Sequence, residues 1–186
     1  MTTLRQFEPL SIDDYLDLEE GGEVRHEYIN GVIYAMVGAS ARHNLISGSL
    51  FANLRAHLKG SPCRVFQSDM KVRSGEVFYY PDVMVSCGAL SPEDRFVTDP
   101  KLIIEVLSPS TESKDRLEKL VMYQNIPNLQ EYVLVSQDKV SIEIYRRNDE
   151  VWNIVSFVPK DNLEFKSIGL SLPIETVYED IMGFAG

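Results

Sequence analysis

Cysteine is scarce in this chain. Cys63 and Cys87 are its only two, and nothing between them has metal-ligand spacing, so a zinc-type cysteine site is excluded. They read as buried or incidental thiols of a reducing cytosol. Long apolar runs are missing too. None reaches the length of a membrane span, and the start, Met1 to Glu8, lacks the apolar core of a signal peptide. A cytoplasmic protein without a membrane is expected. Positive charge is in deficit, with 18 Lys and Arg against 28 Asp and Glu and a net charge of −10. That argues against broad, charge-driven nucleic-acid binding but leaves room for a small basic cleft on an acidic body. Repeats and low-complexity segments are absent. Ser108 has no Gly-x-Ser-x-Gly elbow around it, so it reads as a turn residue and not as a hydrolase nucleophile.

The remainder is ordinary for a globular domain. At 186 residues, with 44% hydrophobic and 25% charged residues, the chain suits one domain, 1–186, with a sizeable core. Ser11 to Leu18 opens with an N-cap and acidic residues and predicts a short helix ended by Gly21-Gly22. Asn30-Gly31 between two β-rich runs, His26–Ile29 and Val32–Met36, predicts a hairpin. A helix is expected over Ala41–Lys59, with an apolar stripe of Ile46, Leu50, Leu54 and Leu58 and with His43 one turn earlier. Strands are expected at Arg64–Phe66, Met70–Arg73 and Val77–Val85, and at Leu102–Leu107, the last nearly all apolar as in a sheet centre. A helix from about Glu112 to Gln124 stops before Pro127. Three further β-runs, Tyr132–Ser136, Val140–Arg146 and Val151–Val158, precede a closing helix over Ile174–Met182. This order predicts a mixed α+β domain with a central mixed β-sheet flanked by helices.

Two hydrophobic runs each carry one acid: Tyr79-Tyr80-Pro81-Asp82-Val83-Met84-Val85 and Leu102-Ile103-Ile104-Glu105-Val106-Leu107. Acids are rarely buried unless paired or bound to metal. Alternation places Ile103, Glu105 and Leu107 on one face of their strand. If Asp82 lies beside Glu105, the two carboxylates can hold one Mg²⁺, with Mn²⁺ as an alternative. Such an ion supplies a hydroxide near neutral pH. A nearby Lys would stabilise the developing charge.

These residues resemble the PD-(D/E)XK nuclease core. The wider pattern is similar to the Uma-two family of restriction-endonuclease-like proteins. It comprises Glu27-Tyr28-Ile29-Asn30-Gly31, His43, Tyr80-Pro81-Asp82-Val83, and Glu105-Val106-Leu107-Ser108-Pro109-Ser110-Thr111, followed by Asp115, Lys119 and Tyr123. The resemblance implies a restriction-endonuclease-like fold and DNA as substrate. It implies metal ligation by Asp82 and Glu105, with Glu27 as an additional acid reaching the metal through water. The superfamily Lys expected two residues after Glu105 is replaced by Leu107, and the resemblance puts Lys119 in its role. His43, Asp115 and Tyr123 are candidate substrate contacts.

Other readings stand beside these. Asp82 could cap a turn, Glu27 could form a cross-strand pair, and Asp115 with Lys119 could be an exposed helical pair. His43 could be a partly buried histidine at a helix start. Asp115, Lys119 and Tyr123 share one helix face, with Leu117, Leu120 and Val121 as the adjacent apolar stripe. Tyr79 and Tyr80 could stack bases but read as packing residues. At the level of function, the leading expectation is a Mg²⁺-dependent endonuclease. Its alternatives are an inactive nuclease-fold binding module and a phosphoesterase for a smaller substrate. A C2 homodimer would suit cleavage of both duplex strands.

Overall fold

Ser11 accepts a hydrogen bond from the Asp14 amide and so caps the first helix, α1 (Ile12–Gly21). The computed structural model describes residues 8–184. Strands β1 (His26–Ile29) and β2 (Val32–Ala35) pair across Asn30-Gly31, both at positive φ as a tight hairpin requires. Helix α2 (Ala41–His57) is capped by Ser40 and buries Ile46, Leu50 and Leu54. Then come β3 (Arg64–Gln67), β4 (Lys71–Ser74), β5 (Val77–Tyr79), β6 (Val83–Ser86), the two-residue β7 (Phe96–Val97) and β8 (Pro100–Leu107). Helix α3 spans 112–124 and contains one wide π turn, Asp115–Lys119. Strands β9 (Glu131–Ser136), β10 (Ile142–Asn148) and β11 (Val151–Phe157) follow, then the hairpin β12 (Asn162–Phe165) and β13 (Leu170–Pro173). A four-residue helix, α4 (Glu175–Tyr178), runs into a 3₁₀ segment, Glu179–Phe184. Among the described residues no helix is long and apolar enough to cross a membrane.

The architecture is mixed α+β, but the strands divide between two larger sheets where one was expected. The first sheet has the order β2-β1-β5-β4-β7 and the second β11-β10-β9-β8-β6-β3. In the second, β8 and β9 run parallel, joined by a crossover through α3, and the remaining pairs are antiparallel. The run Val77–Val85, expected as one strand, is cut into β5 and β6, which belong to different sheets. Pro81 lies in the break. It has no N–H to give to a ladder, so the chain leaves one sheet there and enters the other.

Strand β8 is covered on both faces. Leu102, Ile104 and Val106 pack with Ile46, Leu50 and Leu54 of α2. Ile103 and Leu107 pack with Met84, Tyr123, Tyr132 and Leu134 on the other side. Each fully buried aliphatic side chain contributes about 1.5–3 kcal/mol, which is what lets this strand carry a buried acid.

Two expectations are corrected. Cys63 and Cys87 are joined in a disulfide and are not free thiols. Arg64 pairs with Ser86 at the end of the β3–β6 ladder, so the residues just beyond, Cys63 and Cys87, face each other with Cα atoms 3.9 Å apart. The closing helix is shorter than Ile174–Met182, because the chain tightens to 3₁₀ geometry after Tyr178. The β12–β13 hairpin just before it was not anticipated.

Gly31 illustrates how tightly the N-terminal hairpin is docked. It sits at φ 90°, and a Cβ there would meet Pro9 Cβ at 2.3 Å. Gly31→Ala is therefore expected to destabilise the fold by about 1–3 kcal/mol, the range for a strained backbone position. The check is a lower urea midpoint at unchanged slope.

Candidate active site

Antiparallel pairing of β6 with β8 aligns Val83 with Ile104, which carries Asp82 to the level of Glu105 and Val106. Asp82 Oδ2 accepts the Val106 amide at 2.7 Å. Glu105 is buried at the centre of β8, on the face toward α3. Its Oε1 accepts hydrogen bonds from Lys119 Nζ at 3.0 Å and from the Tyr123 hydroxyl at 2.9 Å. Leu107, where the superfamily lysine would stand, is buried in the apolar core on the same face. The ammonium beside Glu105 thus arrives from α3, as the sequence pattern suggested.

Lys119 is the hub of this network. Its Nζ lies 3.0 Å from Glu105, 3.3 Å from Glu27 on β1 and 3.0 Å from Asp115 one turn earlier. The Asp115 contact is an ion pair whose angle falls outside hydrogen-bonding geometry. Glu27 also accepts a short hydrogen bond from Lys114, so it bridges the first sheet to α3. The π turn between Asp115 and Lys119 widens the helix at this point, and both residues are buried. Such turns recur at functional sites.

Burial and charge set the protonation of the group. Two ammoniums, Lys119 and Lys114, face three carboxylates, Glu27, Glu105 and Asp115. Burial lifts the Glu105 carboxyl well above its ordinary range, and the charges of Asp115 and Asp82 add to this while Lys119 opposes it. Burial alone would pull Lys119 down, but Glu105, Glu27 and Asp115 outweigh it and hold the ammonium well above its usual value. Lys119 is accordingly charged, and the Glu105 carboxyl resists ionisation.

The sequence candidates fall into two groups. Glu27, His43, Asp82, Glu105 and Lys119 all line a cavity of about 520 Å³. His43 Nε2 stands 3.1 Å from Asp82 Oδ2. Burial lowers the His43 pKa, but Asp82, by hydrogen bond and by charge, raises it beyond that loss. Asp115 and Tyr123, by contrast, are buried at 1% and 0% exposure and do not line the cavity. They touch Lys119 and Glu105 instead. The α3 stripe is corrected. Leu117 and Val121 are exposed at 68% and 59%, because the inward face is taken by Asp115, Lys119 and Tyr123. Tyr79 and Tyr80 are buried packing residues that donate hydrogen bonds to Glu118 and Glu19.

Two residues in this neighbourhood escaped the sequence reading. Lys114 bonds Glu27 at the cavity rim. Its position five residues before Lys119 was a usable signal only with the π turn known. Gln137, in the β9–β10 turn, accepts from the Ser40 hydroxyl and donates to the Leu107 carbonyl, tying the start of α2 to the end of β8.

Fold and site together define a restriction-endonuclease-like protein. The Uma2 family model, described as a putative restriction endonuclease, matches residues 12–175, and the chain belongs to that family. Two proteins of Synechocystis sp., both described as uncharacterized, are 42% and 34% identical. The alignments cover 94% of this chain and 94% of the first protein, and 84% of this chain and 92% of the second. The fold is shared with a crystal structure from Anabaena variabilis described as a putative nuclease belonging to DUF820. The TM-score is 0.76 at 22% identity, over 92% of this chain and 98% of that one.

Lys119→Met tests the electrostatics of the site. Removing the ammonium takes away the charge that opposes the rise of the Glu105 carboxyl, so Glu105 is expected to titrate higher still, read by carbon-13 carboxyl NMR. The fold should lose about 3 kcal/mol in urea unfolding, the lower end for breaking a buried ion pair.

Proposed function

We propose that this protein is a divalent-metal-dependent endonuclease that hydrolyses DNA phosphodiester bonds. The carrying observation is that two acids on adjacent strands, Asp82 and Glu105, border one cavity with the Lys119 ammonium against Glu105. Among the described residues no group of three or more His, Cys, Asp or Glu stands together as a metal cage. The donor set therefore fits Mg²⁺ or Mn²⁺ better than zinc, since Mg²⁺ is commonly held by one or two carboxylates plus water and phosphate. Asp82 and Glu105 would hold the ion, with water and substrate phosphate in its remaining positions. When bound, such an ion polarises the phosphodiester and lowers the pKa of its water.

The other residues act through position and charge. Lys119 stabilises negative charge beside Glu105, a role that needs its Nζ held still. Asp115 and Glu27 hold it from two sides. Tyr123 fixes Glu105 Oε1 and leaves Oε2 for the cavity. His43 orients Asp82 and can hold a proton at Nε2. Leu107 keeps water from Glu105 along the face of the strand that they share.

Nicking of supercoiled plasmid in Mg²⁺ and Mn²⁺ tests this directly. The wild type should nick, while Asp82→Ala and Glu105→Ala each fall by roughly 10²-fold or more, as when a principal charge-stabilising group is removed. Calorimetric binding heat for Mn²⁺ should vanish in Asp82→Ala. Equal nicking by all three proteins would sink the assignment, and metal heat without nicking would point to a smaller phosphoester as substrate.

A further inference from the structure

The strand β2 and the residues after it form an exposed apolar arm at the mouth of the cleft. Tyr34 is 48% exposed, Met36 39% and Val37 76%, and all three line the cavity. Tyr34 is paired directly with Glu27 across the β1–β2 ladder, so their side chains share a sheet face. The ring therefore belongs to the same side as the Lys119 network. Lys114 Nζ lies 5.1 Å from the Tyr34 ring centroid. β2 is the edge of the first sheet, so nothing within that sheet covers the arm.

The rim is completed by a chemically different segment. Beyond β8, Ser108 Oγ lies 3.0 Å from both Ser110 Oγ and Thr111 Oγ1, and all three residues line the same cavity. One part of the mouth thus offers an aromatic ring, the Lys114 ammonium beside it and apolar side chains, the other hydroxyls. That combination suits a strand whose bases are unstacked, because a base can lie on the ring while its phosphate takes the polar groups. A fully paired duplex hides its base faces and would present only phosphates. Tracking many of those needs a basic surface, which a protein of net charge −10 does not supply. The cavity, at about 520 Å³, is of small-ligand size and houses a nucleotide rather than a helix.

We infer that the cleft takes single-stranded polynucleotide, with one base stacked on Tyr34 and the adjoining phosphate led toward Asp82 and Glu105. This rests on the nuclease reading of the cleft. It goes beyond that reading by naming unpaired nucleic acid as the substrate and Tyr34 as the residue that selects it.

The test is fluorescence anisotropy in Ca²⁺, which permits binding without turnover, using a labelled oligothymidine and a blunt duplex of equal length. Wild type should bind the single strand at least tenfold more tightly than the duplex. Tyr34→Ala should weaken single-strand binding roughly tenfold, the scale of one lost base stack, while Tyr34→Phe keeps it and duplex binding is unmoved. The exposed position of Tyr34 lets the variants fold, and unchanged circular dichroism checks this. Equal or tighter duplex binding, or a Tyr34→Ala protein that binds the single strand as wild type does, overturns the inference. The two readings separate cleanly. Asp82-dependent nicking of duplex with no Tyr34 effect keeps the nuclease and discards the single strand. Tyr34-dependent single-strand binding without any Asp82-dependent cleavage does the reverse.

Discussion

A single buried ammonium holds this structure's functional half together. Lys119 reaches Glu27 on the first sheet, Glu105 on the second and Asp115 on its own helix, so three separately built elements meet at one nitrogen. Breaking such a group is costly because Glu105 and Asp115 would be left buried without their cation. Burial above all, helped by the charges of Asp115 and Asp82, pushes the Glu105 carboxyl upward against the pull of Lys119. Tyr123 and Tyr132 close the site from below. The Tyr123 hydroxyl goes to Glu105 and that of Tyr132 to the Asp115 carbonyl. The network is therefore sealed on the core side and open only toward the cleft.

That arrangement depends on hydrophobic burial elsewhere. Strand β8 sits between the α2 face and the aromatic layer of Tyr123 and Tyr132, and its aliphatic residues supply the free energy that a buried Glu105 consumes. Pro81 makes the second contribution. By ending one ladder before the next begins, it sets Asp82 just ahead of β6, where its side chain turns to the Val106 amide and the cavity. Acid and scaffold are thus placed by the same local break. The disulfide joining Cys63 and Cys87 closes the far end of the β3–β6 ladder, so the strand that carries the Asp82 turn is held at both ends.

Much of this was legible in the residues. Periodicity revealed α2 and its buried stripe, Asn30-Gly31 revealed the first hairpin, and the apolar run around Glu105 revealed a central strand. Other features were not. Leu117 and Val121 look like core residues by type, yet a polar trio takes the inward face of α3, because ion pairing with β1 and β8 outweighs the aliphatic stripe. Asp115 and Tyr123 look like surface groups by chemistry but are the most deeply buried members of the site. The π turn that accommodates them has no residue signature. Tyr34 carried no signal either, since a tyrosine in a strand reads as packing until the strand is known to be an edge.

Short-range physics explains the division. Turn geometry, helix capping and alternation act over a few residues, so the chain's own order determined its elements, the presence of two costly acids, and the absence of a lysine after Glu105. Which strands became neighbours, how they divided between two sheets, and which cations reached those acids are long-range matters. The ammonium that touches Glu105 comes from fourteen positions beyond it, on a side chain whose direction depends on where α3 packs. Only the tertiary structure decided that, because the energy of a buried charge is set by every group around it and not by its neighbours in sequence.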